Sequence, residues 1–168
     1  MKRTIPMTIA AIASLLLTSM TANAEDKLTL NRTVITMDTA AKVAKATIAA
    51  CRKEGTSVAV TVINRSGQVL AVLRDTLAME VTLDLSKLKA ITALSMNSIT
   101  STLAARYKSP GALEKYEGLL FMPGGVPINA GGSILGAVGV SGSPSGNTDE
   151  KCAVKGVKAI TEELEMSM

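Results

Sequence analysis

The sequence predicts an α+β domain in which an antiparallel sheet is flanked by helices. Its apolar patterns run in the order helix, two strands, two helices, two or three strands, helix. The strands follow one another through short Gly-containing turns, where a doubly wound parallel sheet would need helical crossovers. The chain is organised around Met122 to Glu150, whose Gly and Pro residues bound two short apolar runs.

Asp38 can cap a first helix from about Thr39 to Lys53, with Gly55 as its stop signal. Ala44, Ile48 and Cys51 recur at helical spacing, which puts Cys51 on the buried stripe. Ser57 to Asn64 is apolar on both alternating faces and therefore reads as a central strand covered on both sides. Arg65-Ser-Gly-Gln68 turns the chain, and Val69 to Arg74 returns as the partner strand of a hairpin. A second helix starts near Thr82 or Asp84, with Leu85, Leu88, Ile91 or Thr92, and Ser95 on its inner stripe and Lys87 and Lys89 pointing elsewhere. Ser98 to Arg106 reads as a short third helix, and Tyr107 to Gly118 is irregular, broken at Ser109-Pro-Gly111.

Val126 to Asn129 and Ser133 to Val140 form the next two strands, joined by Ala130-Gly-Gly132. Gly136 and Gly139 inside the second of them mark close approach of another backbone, a bulge or a ligand. The last helix, Thr148 to about Met166, is capped by Asn147 or Thr148. Asp149 and Glu150 complement its dipole, and Cys152, Gly156, Ala159 or Ile160, and Glu163 or Leu164 form its inner stripe. Gly156 in a helix interior implies that another element packs closely there.

Lys2 and Arg3, the apolar run Ile9 to Leu17 and the Ala22-Asn-Ala24 site make residues 1–24 a signal peptide, with Glu25 as mature N-terminus. No later stretch has the length of a spanning helix, so the expectation is a periplasmic or secreted protein with no membrane contact after cleavage. Removing residues 1–24 from 168 leaves a single 144-residue domain, and the loss of Lys2 and Arg3 takes the net charge from +4 to +2. Scattered basic residues and an aromatic content of 2% argue against nucleic acid as a partner. Cys51 and Cys152 admit one intramolecular disulfide in an oxidising compartment, or remain two buried thiols that never meet.

The chain contains no His, which excludes a Ser-His-Asp triad, the usual zinc site and the commonest haem ligand. No phosphate-binding GxxxxGK or strand-to-helix GxGxxG pattern occurs either. Arg74, ending a strand read as buried, and Lys89, on the helix that follows, are the cations placed to reach an anionic ligand near the Gly-rich turn, or else are ordinary surface charges.

Val58-Ala-Val-Thr-Val-Ile-Asn-Arg-Ser-Gly67, Leu73-Arg-Asp-Thr-Leu-Ala78, Lys89-Ala90 with Thr92-Ala93, Pro123-Gly-Gly-Val-Pro-Ile128, and Gly136-Ala-Val-Gly-Val-Ser-Gly142 followed by Asp149-Glu-x-Cys-Ala153 resemble the GlcG/HbpS-like family. This family is also known as the haem-degrading or PduO C-terminal-like domain. The resemblance covers nearly the whole mature chain. It implies a profilin-like fold, an antiparallel five-stranded sheet with helices on both faces, and assembly into homo-oligomers from dimer to octamer. It also implies haem or a related tetrapyrrole as ligand, with Arg74, Lys89, Gly124, Gly125 and Val126 lining the site. Where relatives ligate iron through His, this chain must use Tyr107, Tyr116 or a Met, or hold haem by contacts alone. The alternatives are an enzyme acting on haem or a small hydroxy acid, and a structural oligomer without ligand. The implied fold also brings the C-terminal end of the first helix to the start of the last, which favours a Cys51–Cys152 disulfide.

Overall fold

The computed structural model describes residues 28–107, 113 and 116–168. Residues 1–24, read from sequence as a signal peptide, and the Ser109-Pro-Gly111 breaker lie outside the described residues. From Arg32 onward the chain forms one compact unit. Its elements are α1 (Met37–Lys53), β1 (Ala59–Asn64), β2 (Val69–Arg74), α2 (Thr82–Met96), α3 (Thr100–Arg106), β3 (Gly125–Ala130), β4 (Ser133–Ser141) and α4 (Gly146–Met166).

The sheet is antiparallel throughout, in the order β2-β1-β4-β3. Among the described residues it has four strands where five were expected. In the described part of the segment between α3 and β3, the Leu120 N–H donates to Thr92 Oγ1 at 2.7 Å. β1 is central and almost wholly buried, as its two-faced apolar pattern predicts. β2 is an edge strand, half exposed rather than buried, because α1 covers only one of its faces. Gly131 and Gly132, at φ 54° and 71°, make the two-residue turn between β3 and β4, a conformation that favours glycine.

α1 and α4 cover one face of the sheet and α2 covers the other. The larger core lies under α1 and α4 and contains Val60, Val62, Val126, Ile128, Val138 and Val140. α1 is capped by Thr36, whose hydroxyl accepts the Thr39 N–H at 3.2 Å, so Asp38 falls in the first turn and is not the cap. α4 starts at Gly146 with Ser145 as its N-cap residue and no side-chain cap hydrogen bond, so Asn147 and Thr148 fall inside the first turn and are not the cap.

The two helices on the α1/α4 face approach closely at Gly156, where a Cβ would lie 1.8 Å from Thr47 Oγ1. This contact explains a glycine in a helix interior that otherwise costs about 1 kcal/mol. Nearby, Cys51 and Cys152 form a buried disulfide with Cα atoms 5.3 Å apart, tying the end of α1 to the start of α4.

α2 buries a different stripe from the expected one. Thr82, Ser86, Lys89, Ala90 and Ala93 are buried together with Thr92, the one expected position that is, while Leu85, Leu88 and Ile91 are only half-buried and Ser95 is exposed. The sheet beneath is the cause. A Cβ on Gly139 would sit 1.9 Å from Ser86 O and 2.6 Å from Ala90 N, so the helix backbone rests directly on the strand. Only small side chains, or one long enough to run sideways, fit that contact.

Candidate functional site

The side chain that runs sideways is Lys89. It is 2% exposed, and its Nζ donates to Val140 O at 2.9 Å and to Asp149 Oδ2 at 3.1 Å. The other Asp149 oxygen, Oδ1, accepts the Ser143 N–H at 3.0 Å. One buried ion pair thus joins α2, the end of β4, the following loop and the first turn of α4. An ammonium carries three N–H donors, so Lys89 retains one beyond these two bonds.

Glu150 makes a second set of ties beside the first. Its Oε2 accepts the Ser101 N–H at 2.9 Å, the Gly124 N–H at 3.3 Å and the Thr100 hydroxyl at 3.4 Å. Thr100 Oγ1 in turn accepts the Gly125 N–H at 2.8 Å. The start of β3 is therefore held by side chains from α3 and α4, in the way buried carboxylates and backbone N–H groups satisfy one another.

A cleft of about 220 Å³ opens above the ion pair, lined by Met79, Thr82, Leu85, Lys89, Met122 and the Ser141–Asp149 turn. Exposed apolar side chains lie at its walls and in the segment leading into α2: Leu77 at 85%, Met79 at 66%, Val81 at 51% and Met122 at 49%. A buried ion pair with one remaining N–H donor at the base and apolar groups at the mouth suits an amphiphilic ligand, with a hydrogen-bond acceptor at one end and a large apolar body at the other.

The sequence of the chain matches the HbpS-like haem-degrading protein family over residues 35–158. The chain belongs to this family. It is 36% identical to HbpS, over 79% of this chain and 94% of that one, with a TM-score of 0.76. A doubly substituted Streptomyces reticuli HbpS is 33% identical over 94% and 99% of the two chains, with a TM-score of 0.75. PduOC, solved as a heme complex, shares the fold at 23% identity over 76% and 96%, with a TM-score of 0.70. Among curated proteins none matches the chain at a significant level.

Within this HbpS-like domain the structure brings together three of the residues singled out from sequence. A Cβ on Gly124 would lie 2.9 Å from Lys89 Nζ, and one on Gly125 would lie 2.3 Å from Lys89 O, so glycine is what lets β3 lie against Lys89. Val126 points to the opposite face, into the core under α1 and α4. Arg74 is exposed at the end of the edge strand, donating to Ala78 O. It does not line the cleft over Lys89; it borders a separate groove with Ile48 and Arg52 of α1. Behind it, Arg52 donates to Asp75 from Nε, at 3.1 Å to each oxygen, and from Nη2. This bond and the negative charge of Asp75 raise the Arg52 pKa above its ordinary value.

Asp149 and Glu150 acquire a larger role than helix-dipole complements. A signal was present for Asp149: it falls at helical spacing with Cys152, Gly156 and Ile160, on the stripe that α4 buries. Among the described residues no group of three or more Cys, Asp or Glu side chains is arranged to hold a metal ion. No described helix is long and apolar enough to cross a membrane.

Proposed function

We propose that this chain is an exported haem- or tetrapyrrole-binding protein, and that the cleft over Lys89 receives the propionate edge of the macrocycle. The observation that carries the reading is the buried Lys89 ammonium, with a donor to spare, at the base of a cleft with an apolar mouth. Membership of a haem-degrading family supplies the ligand class. A cavity of about 220 Å³ is too small to enclose a drug-sized ligand. The macrocycle would therefore lie across the exposed Leu77, Met79, Val81 and Met122 side chains with only one edge inside.

A small hydroxy acid would fit wholly inside the same cleft, and an enzyme acting on such a substrate is the second reading. Titrating the oxidised protein with haemin and following the Soret band separates the two. Saturable one-site binding that glycolate does not displace supports the first, whereas glycolate binding without haemin binding supports the second.

Three further features belong to this proposal. The disulfide is consistent with export through a cleaved signal peptide. The helix-flanked antiparallel sheet is consistent with a profilin-like arrangement. The exposed Tyr116 and Leu113, with the half-exposed Leu85, Leu88 and Ile91 of α2, support burial against further copies in a homo-oligomer. Light scattering at micromolar concentration tests that last point, and a monomer would contradict it.

A further inference from the structure

We infer that the free edge of β2 is a docking site for an extended acidic segment of a partner protein, independently of any ligand over Lys89. The Asp75 N–H donates to Val58 O at 2.9 Å, while Arg74 stands opposite Ala59 and Val72 opposite Thr61 in the β1–β2 ladder. Opposed residues of an antiparallel pair alternate between exchanging hydrogen bonds and facing away from each other. Arg74 and Val72 therefore direct their backbone N–H and C=O groups away from β1. Because β2 is last in the sheet order, two donors and two acceptors lie in line along an open edge, the template an added strand uses. The opposite edge of the sheet lacks that template. There the outward positions are Gly125, whose N–H is taken by Thr100 Oγ1 at 2.8 Å, and Pro127, which has no N–H.

The groove between α1 and β2 sets the chemistry of the partner. It encloses about 270 Å³ and is lined by Ile48, Ala49 and Leu73 together with the cations Lys45, Arg52 and Arg74. Its one carboxylate, Asp75, is engaged by Nε and Nη2 of Arg52, a pairing that leaves Nη1 unused. Lys45 and Arg74 form no ion pair among the described residues. Side chains alternate between the two faces of a strand, so every second residue of an added strand would lie over this groove, where carboxylates meet uncompensated positive charge. A second copy of this chain is the poorer occupant. Two β2 edges paired about a two-fold axis bring identical cationic grooves side by side, and like charges repel.

The test titrates the oxidised protein at low ionic strength with a capped hexapeptide of alternating glutamate and valine, followed by amide chemical shifts, with the lysine-for-glutamate peptide as control. Saturable shifts centred on Val72 and Arg74 are expected with the glutamate peptide and none with the lysine peptide. Lys45→Glu with Arg74→Glu, both at exposed positions, should weaken the glutamate peptide at least about tenfold and admit the lysine peptide. Val72→Pro removes an outward N–H without breaking a bond to β1 and should weaken the glutamate peptide as well. No shift along β2, equal binding of the two peptides, or unchanged affinity in the charge-reversed variant overturns the inference. Shifts along β2 that follow protein concentration alone assign the edge to a second copy and overturn it too.

Discussion

Replacing Lys89 by Met removes the ammonium and leaves a side chain of similar length beside Gly124. Asp149 then keeps only the Ser143 N–H, while its side chain remains 3% exposed. Breaking a buried ion pair by deleting one partner leaves an uncompensated charge and costs about 3–5 kcal/mol. A domain of this size has roughly 5–15 kcal/mol in total, so the loss is a large fraction of its stability. Asp149→Asn should be costly for the same reason, since it leaves the Lys89 ammonium with Val140 O and no counter-charge. Lys89→Met combined with Asp149→Asn removes both charges and keeps an acceptor for Ser143. The double variant should therefore lose less than the sum of the singles, with a coupling energy of about 2–3 kcal/mol. Urea unfolding of the disulfide-intact protein at fixed concentration, extrapolated linearly to water, measures all four forms. A loss below about 1 kcal/mol for Lys89→Met, or single effects that add within about 0.5 kcal/mol, would refute the buried pair.

Gly156→Ala should destabilise the protein although Ala is the better helix former by about 1 kcal/mol, because its Cβ meets Thr47 Oγ1 at 1.8 Å. Adding Thr47→Ala removes that oxygen and should recover part of the loss in the same urea assay. Reducing the disulfide, which links residues 101 positions apart, should lower stability by up to about 4.7 kcal/mol on the chain-entropy model. Denatured, unreduced protein should correspondingly take up no alkyl groups by mass spectrometry. The Lys155 ammonium hydrogen-bonds the Glu54 carboxyl at 2.8 Å and holds its pKa below the ordinary 4.5. The pair's contribution is complete above pH 4.5 and is lost as pH falls through the lowered folded value. Glu54→Gln should flatten the acid limb of a stability profile there, and an unchanged limb would contradict the pairing.

The elements that were legible in the sequence are those whose pattern is local. The hairpin of β1 and β2 announces itself through a two-faced apolar run, a Gly turn and a second run. The first strand is covered on both sides because α1 and α2 both reach it. The inner stripe of α4 was readable down to Gly156, since the requirement for a missing side chain is visible in one residue. The stripe of α2 was not. Leu85, Leu88 and Ile91 outrank Ser86 and Lys89 on any local scale, and only the bare surface of Gly139, more than 40 residues later, reverses the order. Lys89 reads as pointing away from the buried stripe of its helix, and the structure buries it. Its burial depends on a carboxylate 60 residues away, and spacing within one helix carries no trace of that. Arg74 followed the same logic in reverse: an apolar strand reads as buried until the sheet order makes it an edge. Among the described residues the fifth strand implied by the resemblance does not form, and the Leu120 N–H donates to the Thr92 side chain.

The central claim is that ligand binds over Lys89, and amide chemical shifts recorded during titration with a diamagnetic porphyrin test it most directly. The account predicts saturable shifts concentrated at Met79, Thr82, Leu85, Met122 and the turn from Ser141 to Asp149, with the face of α1 at Lys45 and Ala49 unmoved. Shifts centred on the groove between α1 and the end of β2, or none at all, would contradict it.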